Sequence, residues 1–120
     1  MIETPEQYFD AAPEAGRPWL REFWDYLAER HPHLTLSMFR QTPMAKFGSS
    51  YLDGYVMFTA AAKHFTVHSL EFDLIQQTKD AIPGAFGGKG SVSVKYTNTD
   101  AKPALKAFVD EVIAREQARG

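Results

Sequence analysis

From Gly54 to Leu70 the chain reads GYVMFTAAAKHFTVHSL, strand-forming at both ends. Taken as one strand it would reach about 55 Å at ~3.3 Å per residue, too long for a small domain. Ala60-Ala61-Ala62-Lys63 has low strand propensity and is the natural place to turn. The stretch is therefore a β-hairpin, with His64 opening its second strand. That assignment governs both the fold and the chemistry open to the two histidines within it.

The segments around the hairpin switch between two periods. Thr4-Pro5-Glu6-Gln7 reads as a helix start, with threonine as cap, proline at the first helical position and glutamine closing a capping box. Pro13 and Gly16 end that short helix. In RPWLREFWDYLAERHP, Leu20, Phe23, Trp24 and Leu27 fall at i, i+3, i+4 and i+7, and Pro32 stops the helix. From His33 the period becomes two: LTLSMF is a strand, QTPMAKFGSS a loop, and the hairpin follows. A helix in EFDLIQQTKDAI, a strand in SVSVKY and a helix from about Pro103 complete the chain. The last helix carries Leu105, Phe108, Val109, Val112 and Ile113 on one stripe. The order α-α-β-β-β-α-β-α predicts an α+β fold, with a mainly antiparallel sheet of about four strands and helices packed on one face.

At 120 residues the chain suits one domain spanning 1–120 and is long enough to bury a core without staples. It holds no cysteine, which excludes disulfides, thiolate catalysis and cysteine-held metal clusters. The 13 basic and 15 acidic residues are dispersed, so no basic stripe points to nucleic acid. The acidic, polar start MIETPEQYFDAAPEAG does not resemble a secretory signal. No apolar run approaches the roughly 20 residues of a membrane span. A cytoplasmic location with neither membrane nor nucleic-acid partners is the expectation.

His64 and His68 have the spacing of a helical metal pair, but on a strand four residues separate them by about 13 Å. Ligand nitrogens must each stand ~2 Å from a shared ion, so the local pair does not chelate. Alternation places Phe65 and Val67 on one face of the sheet and His64, Thr66 and His68 on the other. Val92, Val94 and Tyr96 against Ser91, Ser93 and Lys95 repeat the division. One face then lies beneath the helices. The other is a mixed polar surface, either simply solvated or shaped into a shallow pocket with Lys63, His64, His68 and Lys89 as ligand contacts. Lys95 is a further candidate on that face.

Other motifs carry less. His31-Pro32-His33 reads as a helix end followed by a turn, and the aromatics Trp19, Phe23 and Trp24 read as core. GAFGGKGS lacks the spacing and the following helix of a nucleotide-phosphate loop, although Lys89 and its glycine-rich surroundings could contact an anion. Glu71, Asp73, Asp80, Asp110 and Glu111 read as solvated helix faces, or as a loose acidic surface for a hard cation. No nucleophile–base–acid arrangement can be assembled and no nucleophile elbow occurs. The reading is a binding protein rather than an enzyme, with no catalytic residues assigned.

Pro43-Met44-x-Lys46-Phe47, the hairpin Gly54 to His64, and Gly88-Lys89-Gly90-Ser91-Val92 ahead of a proline-initiated last helix occur in that order. The set, over roughly Thr35 to Ile113, resembles the YdhG-like domain-of-unknown-function family of small bacterial α+β proteins. The resemblance implies a curved antiparallel sheet with packed helices. It singles out Phe47, Phe58, Lys63, His64, Lys89 and Gly90 as matching positions. Because some members are described as frataxin-like iron chaperones, it also implies weak iron binding through surface acids, with no other cofactor. The functional expectation is a non-enzymatic binding protein of iron-chaperone type. The alternative is a small-ligand (anion) or protein-interaction module built on the polar sheet face around Lys63, His64 and Lys89.

Overall fold

The computed structural model describes residues 2–39, 41–47 and 54–119. Helix α1 spans Pro5–Ala11 and opens with the expected capping box. The Thr4 hydroxyl accepts from Gln7 N at 3.2 Å while the Gln7 side chain accepts from Thr4 N at 3.3 Å. A 3₁₀ turn at Glu14–Gly16 leads into α2, Arg17–Arg30. The predicted stripe Leu20, Phe23, Trp24 and Leu27 is buried, with Trp19 beside it. His31 N donates to Leu27 O at 2.8 Å, and Pro32 prevents further winding.

Among the described residues five strands follow: β1 Thr35–Phe39, β2 Thr42–Lys46, β3 Tyr55–Ala60, β4 His64–His68 and, after helix α3 at Phe72–Ala81, β5 Ser91–Lys95. A 3₁₀ turn at Thr99–Ala101 starts the last helix, α4, Lys102–Arg119. The sheet order is β1-β2-β3-β4-β5, every pair antiparallel. The β3–β4 hairpin turns where expected: Ala60 pairs with Phe65, and Ala61 N donates to His64 O at 2.9 Å.

The extra strand, β2, corrects the expected loop over QTPMAKFGSS; the last three residues of that segment, 48–50, lie outside the described residues. Pro43 is a poor strand residue, since it cannot donate to a ladder. It is accommodated because the β2–β3 register runs only from Met44 to Lys46, leaving Pro43 where β1 alone pairs, opposite Met38. Gln41 takes a φ of 66° just before β2, a left-handed geometry suited to a tight reversal.

The strand registers place Leu36, Ala45, Val56, Phe58, Phe65, Val67, Val92 and Val94 on one face. Buried residues of all four helices join this face in a single core. Aromatic rings knit it together. Phe23 lies 4.8 Å from Phe65 and Trp24 meets Phe58 edge-on at 4.7 Å, centroid to centroid. Fully burying such a side chain contributes roughly 1.5–3 kcal/mol, so this face dominates stability. Gly16 fits where no larger residue could, because a β-carbon there would stand 2.5 Å from Tyr96 Oη and 2.6 Å from Ala60 Cβ. Among the described residues no helix is long and apolar enough to cross a membrane.

Candidate functional site

The second sheet face carries the residues singled out by alternation. It is less solvated than a plain polar surface, because Met44, Thr66 and Ser93 on it are buried. Thr66 and Ser93, on adjacent strands, share a hydrogen bond of 2.7 Å that satisfies both hydroxyls in their buried setting. His68 stands beside them with Nε2 2.8 Å from Thr59 Oγ1. Burial lowers its pKa, so the neutral ring is favoured.

The predicted contacts divide between the two ends of the β4–β5 ladder. At one end His64 pairs with Lys95, and the carbonyl of exposed Lys63 accepts from Tyr96 N at 3.4 Å. The His64 ring meets Phe86 at 5.2 Å, and Phe86 itself bridges Ser93 along the outer edge of β5. At the other end His68 pairs with Ser91, and Ser69 N donates to Gly90 O at 3.2 Å. There the Lys89 ammonium sits 4.8 Å from the Phe72 ring centre. The structure thus brings Lys63 and His64 together and His68 and Lys89 towards each other. The two pairs are held apart by the length of a five-residue strand, about 13 Å from first residue to last.

The acidic residues gather in part. Glu71 and Asp73 at the start of α3 and Glu111 on α4 all face Arg115, whose guanidinium lies 3.9, 2.9 and 3.5 Å from them. The hydrogen bond from Arg115 holds Asp73 below the usual carboxylate range. Asp80 instead accepts from Gln76. Among the described residues no group of three or more ligating side chains is placed to hold a metal ion.

A cleft of about 200 Å³ opens elsewhere, at the end of α2. Trp24, Leu27, Ala28 and His31 line it from the helix and its cap, Pro32 and Leu34 from the following turn, and Leu36 and Ala45 from β1 and β2. Here the apolar sheet face extends past the end of the helix, leaving Leu36 44% exposed although it points to the core side. The polar group in this apolar setting is His31. Its Nε2 lies 2.8 Å from Asp110 Oδ1 on α4, and the side chain is 16% exposed. Asp110 also accepts from Tyr26 Oη at 2.5 Å, with the Arg30 guanidinium 3.9 Å away. Burial alone would raise the pKa of Asp110. Hydrogen bonds from Tyr26 and His31 and the charge of Arg30 outweigh it and hold the carboxyl low.

Trp24 adds an unusual feature: its Nε1 is buried and finds no acceptor among the described residues. Leaving such a donor unpaired costs on the order of 1–3 kcal/mol. The imidazole of His31 meets that of His33 edge-on, with ring centres 6.1 Å apart, and His33 Nε2 accepts from Gln117 at 3.0 Å. This cleft is not among the predicted sites, although the helical spacing contained a sign of it. Trp24, Leu27, Ala28 and His31 repeat i, i+3, i+4 and i+7, so the core stripe ends in one small and one polar residue. Asp110, on a distant helix, had no comparable signal.

No family model and no curated protein matches the sequence. Among solved structures the chain is similar to the crystal structure of YdhG, a DUF1801-family protein from Bacillus subtilis. The TM-score is 0.75 at 16% identity, covering 93% of this chain and 90% of that one. The resemblance drawn from the ordered motifs is thus matched in three dimensions: the chain shares the α+β fold of that structure.

Proposed function

We propose that the protein is a non-enzymatic binding domain that holds a small, largely apolar molecule in the cleft at the end of α2. The observation that carries this reading is His31, fixed by Asp110 beside an open apolar recess. Ligand sites commonly combine apolar walls with a few convergent polar groups, and an anchored imidazole serves as such a group. Exposed Leu36 at the rim offers further apolar surface for a ligand to cover.

Delivery of iron or another hard cation, implied by the family resemblance, has less support. The carboxylates that approach one another at the start of α3 close on Arg115. A shared anion between Lys63, His64 and Lys89 would have to span the length of β4.

A saturation-transfer NMR screen of single-ring and short-chain fragments tests the cleft. Ala28 is exposed on the helix, so Ala28→Trp fills the recess from its surface without disturbing the core. Fragments should bind the natural protein and lose binding in that variant. Binding that survives Ala28→Trp, or a screen without hits, would contradict the proposal.

A further inference from the structure

We infer that the cleft takes a small organic acid, an apolar body ending in one carboxyl group, with His31 Nδ1 as the partner of that group. The inference rests on the cleft reading above and adds the chemical class of the ligand.

The two nitrogens of an imidazole point in divergent directions. His31 uses Nε2 towards Asp110, an acceptor, so Nε2 carries a hydrogen and donates it. Among the described residues no group engages Nδ1, and the same side chain forms part of the cleft wall. Nδ1 is therefore left for whatever occupies the recess. A carboxylate entering there, together with one proton at Nδ1, is held by a hydrogen bond from the ring. The result is an imidazolium between two carboxylates, Asp110 on one side and the ligand on the other. Arg30, close to Asp110, adds a second positive charge to this end of the helix.

The remaining ligand oxygen needs a donor, and Trp24 on the same wall has an indole N–H without an acceptor among the described residues. That nitrogen is closed to solvent, so a carboxyl oxygen reaches it only if the wall yields slightly. The rest of the lining suits hydrocarbon: Leu27, Leu34, Leu36 and Ala45 supply no charge. A cationic ligand fits poorly, because Asp110 already accepts from both Tyr26 and His31.

Isothermal titration with sodium hexanoate and with hexanamide, its neutral counterpart, tests the inference on the natural chain. Hexanoate should bind at least about tenfold more tightly. His31→Gln keeps a polar side chain but cannot take the proton, and should erase that preference. Ala28→Trp should abolish binding of both compounds. Equal affinities for acid and amide, with both lost in Ala28→Trp, would overturn the acid while leaving the cleft reading intact. A preference that persists in His31→Gln would overturn the role of the imidazole. Hexanoate binding unaffected by Ala28→Trp would overturn the cleft itself, and no binding of either compound would overturn both.

Discussion

His31 Nε2 and Asp110 Oδ1 lie 2.8 Å apart, joining the cap of α2 to the middle of α4 across 79 positions of sequence. Because Tyr26 donates to the other oxygen of the same carboxylate, one side chain ties the end of α2 down at two points. The contact is structural and also orients the polar group of the candidate site.

Asp110→Asn should therefore destabilise the fold by about 1–3 kcal/mol, the range for losing charged hydrogen bonds at a partly buried site. Urea unfolding measures it. Tyr26→Phe should cost less in the Asn background than in the natural one, since the two changes share a bond. Strict additivity would show that Tyr26 and Asp110 act independently.

The Thr66–Ser93 pair offers a second test of a local relationship. Thr66→Val alone strands the Ser93 hydroxyl in a buried position, and Ser93→Ala strands that of Thr66. Each should cost about 1–3 kcal/mol, while the double substitution should cost clearly less than their sum. Thermal or urea denaturation of the four proteins gives the coupling.

His68 should make stability depend on pH. Burial lowers its pKa in the folded state, so between that value and the ordinary imidazole pKa the unfolded chain binds more protons. Its contribution is complete above the unfolded pKa, about 6.5, and is lost as pH falls through the folded one. His68→Gln should lose less stability than the natural protein between neutral and mildly acidic pH. Parallel loss in both would remove His68 as the cause.

Much of this architecture was legible because its signals are local. Four apolar residues on one helical stripe placed α2, and low strand propensity at Ala60–Lys63 placed the hairpin turn. The same hairpin disposed of a chelating His64–His68 pair by spacing alone. Strand β2 was hidden because Pro43 is a poor strand residue everywhere except where one neighbour pairs. The site was harder still. Its key contact joins residues whose proximity depends on how α2 and α4 pack, and no local pattern encodes that distance. Lys63 and Lys89 illustrate the converse: adjacent strands suggested a common pocket, but antiparallel register sends them to opposite ends.

Amide and indole NMR shifts on adding millimolar hexanoate show whether the recess at the end of α2 is the ligand site. Perturbations should be confined to the Trp24 indole, Leu27 to Leu36 and Ala45. Perturbations centred instead on His64, His68 and Lys89, or none at all, would contradict it.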